Sequence, residues 1–200
     1  MRGLHNVQWS GRCEVRTERD ITWYIDGAHT LESIRVTADW FGSTVVLQKD
    51  PDYPTRCPRV LLFNQQTRAG FPLLQELHQT VAQITRNDQP FTHAIFCTNV
   101  TYKNSGYRPD LISINVDQAL VQGLNVQNEF ASGWQTLTNA TDSAQIMVVP
   151  TIEEAVLTCR QIAGAWQVQN GSSSANAEVL ATGSIHLIGG LLDVLEEVPP

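Results

Sequence analysis

The sequence predicts a largely parallel α/β sheet with helices on both faces. Two observations carry that prediction. Five short apolar runs, each of strand length, alternate with segments whose apolar residues recur every three or four positions. The runs are near-continuously apolar instead of alternating, as expected for strands covered on both sides. Crossovers in such a sheet are right-handed.

Thr22 to Ile25 reads as the first strand and leads into the turn Asp26-Gly27-Ala28-His29. From Thr30 the pattern changes, and Leu31, Ile34, Ala38, Phe41 and Val45 fall on one helix face. After the turn-rich stretch Asp50 to Pro58, Arg59 to Phe63 is the second strand. Leu73, Leu77, Val81 and Ile84 repeat helical spacing behind Pro72, a residue suited to a first helical turn. Ala94 to Cys97 is the third strand, and the polar region Thr98 to Asn115 reads as a long surface connection. Val116 to Phe130 is expected to be helical and Ser132 to Ser143 to be loop. Gln145 to Val149 is the fourth strand. Thr151-Ile152-Glu153-Glu154 then fits a capping box, ahead of a helix carrying Ile152, Ala155, Cys159, Ile162 and Trp166. Asn170 to Asn176 has linker composition, Glu178 to Thr182 is the last strand, and Ile188, Leu191 and Leu195 line the final helix.

Composition narrows the function classes. The 200 residues suit one core without a disulfide or metal staple. A net charge of −7 argues against a uniformly basic nucleic-acid binder. No run of apolar residues is long enough to span a membrane, and residues 1–16 lack the apolar core of a secretory signal. Cys13, Cys57, Cys97 and Cys159 are widely spaced, without a CxxC or zinc-type cluster, so they read as buried thiols in a reducing compartment. Asn99, Asn139 and Asn170 begin N-x-[ST] triplets, which without a secretory signal read as chance matches.

Several chemistries lack their motif. Neither of the two lysines, Lys49 and Lys103, follows a glycine, so there is no G-x-x-x-x-G-K-[ST] phosphate loop. G-x-G-x-x-G is absent, and Ser184 fails G-x-S-x-G because Thr182 and His186 flank it. Paired active-site carboxylates cannot be picked out by spacing. What stands out is polar content in two strand-to-helix turns, where ligands of open α/β sheets bind. In the first, Gly27 permits a sharp turn, Asp26 can accept hydrogen bonds from hydroxyls, and His29 stands at a helix start. In the second, Thr182-Gly183-Ser184 offers a hydroxyl and free helix-start N–H groups to a carboxylate or phosphate, with Gly189-Gly190 one turn on. The plainer reading is that Asp and Ser act only as N-caps, with His186 a packed or surface histidine.

Four blocks resemble folylpolyglutamate synthases, in the family's order. Trp23-Tyr24-Ile25-Asp26-Gly27-Ala28-His29-Thr30 is similar to a motif of their C-terminal domain. Val60-Leu61-Leu62-Phe63-Asn64-Gln65-Gln66-Thr67-Arg68 resembles its fungal form. Thr182 to Gly190 matches the closing TGS-HL-GG stretch, and Trp9-Ser10-Gly11-Arg12-Cys13 looks like the W-P-G-R segment joining the two domains. Ser10 stands where the family has proline, and Ala69 where it has aspartate.

The resemblance implies a Rossmann-like, mostly parallel sheet of five to six strands, as in the C-terminal domain of Mur ligases. Residues 1–20 would be an interdomain linker segment and residues 21–200 that domain, the N-terminal ATP-binding domain being absent. It implies ATP-dependent addition of L-glutamate to the γ-carboxylate of a tetrahydrofolate through an acyl phosphate, with this chain inactive alone. Arg12, Asp26 and His29 would bind nucleotide: Arg12 at the phosphates, Asp26 at the ribose hydroxyls, His29 near the γ-phosphate. His29, Arg68 and Ser184 would bind glutamate, and His29 is the one candidate for a catalytic role. ATP and Mg2+ are the implied cofactors, with a monovalent cation allowed and the metal ligands placed in the absent domain. The implied partners are ATP, L-glutamate, reduced folates and that domain, for a monomer in the cytoplasm, mitochondria or both. The alternative is a non-catalytic binding module or truncated gene product.

Overall fold

The computed structural model describes residues 9–47, 57–65, 70–103, 124–139, 145–171 and 175–196. Along them run β1 (Glu14–Glu18), β2 (Ile21–Ile25), α1 (Leu31–Leu47), β3 (Arg59–Phe63), α2 (Phe71–Thr85) and β4 (His93–Cys97). Then follow α3 (Asn125–Thr138), β5 (Ile146–Val149), α4 (Ile152–Asn170), β6 (Ala177–Thr182) and α5 (Ile185–Glu196). The strands form one sheet in the order β1-β2-β6-β3-β4-β5. From β2 across to β5 every pairing is parallel, and β1 alone runs antiparallel, on β2. This is the α/β architecture expected from the sequence.

The period of two along each strand splits the core into two layers. Trp23 aligns with Val179 and Val60, on the face that α4 and α5 cover. One residue on, Tyr24 aligns with Leu180 and Leu61, on the face that α1, α2 and α3 cover. On that second face aromatic edges interlock: Tyr24 meets Phe41 with ring centroids 5.0 Å apart, and Phe63 meets Phe130 at 5.5 Å. Helix periodicity supplies the matching surfaces. On α1, Ile34, Ala38, Phe41 and Val45 are buried, three or four residues apart. Removing a ring such as that of Phe41 costs about 3–5 kcal/mol, because it loses both burial and close packing.

Four expectations are corrected. First, α3 runs through Thr138, where loop was expected from Ser132, and it begins at Asn125; residues 116–123 lie outside the described residues. Gln127, Phe130, Trp134 and Thr138 form its buried face, so packing overrides the poor helix formers between them. A Cβ on Gly133 would stand 2.6 Å from the Phe71 ring, so that helix-weakening glycine is what lets α3 approach α2. Second, the connection after β4 does not start on the surface. Thr98, Asn99 and Thr101 are buried, and Val100 and Thr101 carbonyls accept the N–H groups of Ile152 and Glu153 at the start of α4.

Third, the capping box at Thr151 is half formed. Thr151 Oγ1 accepts the Glu154 N–H at 3.1 Å, but the Glu154 carboxylate turns to Lys103 Nζ at 3.4 Å. Fourth, the cysteines differ in burial: Cys97 and Cys159 are buried, Cys57 is half-buried and Cys13 is exposed, all with free thiols. The sequence also gave no sign of β1. Its half-buried residues are charged, with Glu14 paired to Arg16 and Glu18 to Arg160, which keeps a polar edge on the sheet. No described helix is long and apolar enough to cross a membrane.

Candidate functional site

The parallel strands deliver their C-terminal ends to one rim of the sheet. There the chain leaves β2 toward α1 on one face, leaves β6 toward α5 on the other, and leaves β3 toward α2 on the first. Connections therefore diverge on both sides of β6 and open a crevice at its end, where such sheets bind ligands. The two turns singled out in the sequence meet at this place. Ile25 is in register with Ala181, and the Asp26 N–H donates to the Ala181 carbonyl at 3.1 Å.

Asp26 is the hub of the first turn and is buried. Its Oδ1 accepts from the Ala28 N–H and the Thr37 hydroxyl, each at 2.9 Å. Its Oδ2 accepts from the Cys13 N–H at 2.8 Å and, longer, from the Cys13 thiol at 3.5 Å. Burial and the neighbouring carboxylate push that thiol up to about 11. Thr30, not Asp26, caps α1: its Oγ1 accepts the Ser33 N–H at 3.3 Å.

The Trp9–Cys13 turn is clamped against this hub. Gly27 N–H donates to the Gly11 carbonyl at 3.0 Å, and Gly11 N–H donates to Glu14 Oε2 at 2.7 Å. Gly11 has φ +76°, and a Cβ there would lie 2.6 Å from Ile188 Cγ2, so only glycine fits under α5. The clamp carries Arg12 to the rim. Its guanidinium stands 3.8 Å from Asp26 Oδ1 with the side chain 46% exposed, a loose pair that leaves the cation available to an anion. His29 is half-buried; its Nδ1 faces the Gly27 carbonyl at 3.1 Å, and its Nε2 meets no partner among the described residues.

The second turn is built on Gly183, whose φ of +104° turns the chain out of β6. Ser184 is buried and caps α5, its Oγ accepting the Leu187 N–H at 3.4 Å. The Ile185 and His186 N–H groups, orphans of any helix start, find no acceptor among the described residues. His186 itself is half-buried on the first turn of α5. The structure thus brings Arg12, Asp26, His29 and Ser184 to one crevice. Arg68 lies outside the described residues.

Three further residues belong here. Asn64 and Asn99 follow β3 and β4, and Gln127 comes from α3; all are buried. Asn64 Nδ2 donates to Asn99 Oδ1 at 2.7 Å, Gln127 Nε2 donates to Asn64 Oδ1 at 3.0 Å, and Ser184 Oγ donates to Asn99 Oδ1 at 3.4 Å. A polar residue directly after an apolar strand was the available sign for Asn64; Asn99 follows its strand one residue later, behind Thr98. Burial of Asn99 also removes its N-x-T triplet from any surface. Among the described residues, no three His, Cys, Asp or Glu side chains come together as a metal site.

The fold is an α/β architecture shared with solved folylpolyglutamate synthase and Mur ligase structures. Among solved structures it is similar to Mycobacterium tuberculosis folylpolyglutamate synthase complexed with ADP, with a TM-score of 0.57 and 16% identity over 99% of this chain and 34% of that one. The Thermotoga maritima folylpolyglutamate synthase matches with a TM-score of 0.51 and 16% identity, over 98% of this chain and 32% of that one. No family model matches the chain. In sequence it is 37% identical to the folylpolyglutamate synthase of Neurospora crassa, over 98% of this chain and 35% of the relative. It is 38% identical to a probable folylpolyglutamate synthase of Schizosaccharomyces pombe, over 98% of this chain and 36% of that one. The chain is similar to the fungal folylpolyglutamate synthases over nearly its whole length, and it spans about a third of the length of those relatives.

Proposed function

We propose that this chain is the C-terminal part of an ATP-dependent ligase that adds L-glutamate to the γ-carboxylate of a reduced folate through an acyl phosphate. What carries the reading is the meeting of Arg12, Asp26, His29 and the Ser184 turn in the crevice at the end of β6. Arg12 is a loosely paired, part-exposed cation for the nucleotide phosphates, where a guanidinium offsets developing negative charge. Asp26 takes a ribose hydroxyl in place of the Cys13 thiol, the longest of its hydrogen bonds at 3.5 Å. His29 offers Nε2 toward the γ-phosphate and the incoming amino acid. The N–H groups of Ile185 and His186, with the Ser184 turn, receive a glutamate carboxylate at the positive end of α5. Arg68 is a second glutamate contact by resemblance.

The phosphate loop and the Mg2+ ligands come from the part of such ligases that this chain does not span, so 200 residues alone bind without turning over. A monovalent cation, a monomeric state and a cytoplasmic or mitochondrial location go with the same reading.

The test is glutamate- and folate-dependent ADP release, measured for the chain alone and for the chain fused behind the N-terminal portion of a fungal relative. Turnover is expected only in the fusion and is expected to be lost in His29→Ala. Turnover by the 200 residues alone overturns the division of the site between two domains. Failure of the fusion, with the Neurospora crassa enzyme active beside it, overturns the ligase reading and leaves a binding module.

A further inference from the structure

The buried amides at this rim form a chain that converges on one residue. Gln127 holds Asn64, Asn64 holds Asn99, and the Asn99 carbonyl oxygen receives the Ser184 hydroxyl, all four side chains being buried. They come from α3 and from the turns after β3, β4 and β6, elements that no local sequence contact joins. Capping α5 needs only the Ser184–Leu187 contact. A series of buried amides beyond that is costly unless each member is satisfied, so its presence calls for a use. Its geometric effect is specific. Asn99 Oδ1 is the one acceptor that the Ser184 hydroxyl meets among the described residues, and Asn99 is itself fixed by the 2.7 Å bond from Asn64. Ser184 is thereby held from two sides, and with it the direction of the open N–H groups on Ile185 and His186.

We propose that Asn99 is a positioning residue for the amino-acid subsite, acting through the Ser184 turn and leaving the nucleotide contacts of the β2–α1 turn untouched. The proposal rests on the reading of Ser184 as part of the glutamate site. The two sites separate because, among the described residues, the hydrogen bonds and ion pairs of Arg12, Asp26 and His29 go to partners other than Asn99.

The experiment uses a full-length ligase carrying this chain, with KM for L-glutamate and for ATP measured separately in a double-mutant cycle. Asn99→Ala is expected to raise the KM for glutamate about tenfold while that for ATP stays within about twofold, the split of a lost binding contact. In a Ser184→Ala background the same substitution is expected to add almost nothing, since coupled residues are not additive. A parallel rise in both KM values, or an equal effect of Asn99→Ala with and without Ser184, overturns the proposal. If the alanine variant melts below the assay temperature, Asn99→Ser, which keeps an oxygen at shorter reach, is expected to show the same split, and a parallel rise there overturns it too. Absence of glutamate-dependent turnover in the unsubstituted ligase is a different result: it removes the functional reading itself.

Discussion

Replacing Asp26 by alanine withdraws a carboxylate that the Cys13 and Ala28 N–H groups and the Thr37 hydroxyl all use, at 2.8, 2.9 and 2.9 Å. These donors do not suffer equally. Cys13 is exposed and its N–H can turn to water, while Thr37 sits within α1 and its hydroxyl can bond back to the preceding turn. Ala28 is fully buried, and its stranded N–H costs about 1–3 kcal/mol. Losing the two remaining charge-assisted bonds, partly replaced, adds about 1–2 kcal/mol, for a total near 3 kcal/mol. In a domain of this size each kcal/mol lowers the melting temperature by roughly 2–4 °C, so Asp26→Ala is expected to melt about 6–12 °C lower. Asp26→Asn keeps one acceptor oxygen and should lose about half as much. Arg12→Ala is the control: its 3.8 Å pair is too exposed to matter for folding, and its melting temperature should move by no more than about 2 °C. Circular dichroism melts of the 200-residue chain decide the matter. An Asp26→Ala melt within 2 °C of the unsubstituted chain would falsify the view of Asp26 as the hub of both turns.

Gly183→Ala places a Cβ 2.6 Å from the Asn64 carbonyl oxygen and from the Phe63 ring, at φ +104°. Backbone strain and overpacking together should cost about 2–5 kcal/mol, read as a lower urea midpoint; an unchanged midpoint rules out that crowding. With its thiol near 11, Cys13 holds only about one part in a thousand as thiolate at pH 8, so alkylation by iodoacetamide should be slow and accelerate with pH. Asp26→Asn removes the adjacent charge and should speed that reaction, and equal rates in both proteins count against the carboxylate's part. Burial keeps His78 neutral by lowering its pKa from 6.5, so the unfolded chain takes up more protons than the folded one as pH falls below that value. Stability from this group is therefore full above pH 6.5 and lost on acidification. His78→Gln should flatten the change in urea midpoint between pH 7.5 and 5.5.

The five parallel strands were legible because each is a compact apolar run bounded by turn residues, and the α1 and α4 faces because their spacing is regular. What escaped was decided by distant partners. β1 reads as polar, and its strand character depends on pairing with β2 and on Arg160 reaching Glu18. The second half of α3 looks like loop until Phe71 is seen to occupy the space beside Gly133. In the site, the turns at Asp26 and Ser184 announce themselves by residue type, and the family likeness adds Arg12. The bonds from Asn64 to Asn99, from Gln127 to Asn64 and from Ser184 to Asn99 span 35, 63 and 85 residues. No local pattern encodes contacts of that length, so the amide series was invisible before the fold was known.

The position of β6 ties this site to the integrity of the whole sheet. It is the last strand in sequence, yet it inserts between β2 and β3, and only that insertion brings residue 12 and residue 184 to one crevice. Were the sheet assembled from β2 to β5 alone, Asp26 would lose the Ala181 carbonyl beside it, and Gly11 would lose the α5 surface on which it closes. The crevice is therefore a property of the completed fold. A ligand bridging the Arg12 turn and the start of α5 must stabilise β6 in place, by about 2.7 kcal/mol at a hundredfold excess over its Kd. Binding should accordingly slow hydrogen exchange in β6 and α5 more than in α2, which lies against the sheet's other face and touches neither turn.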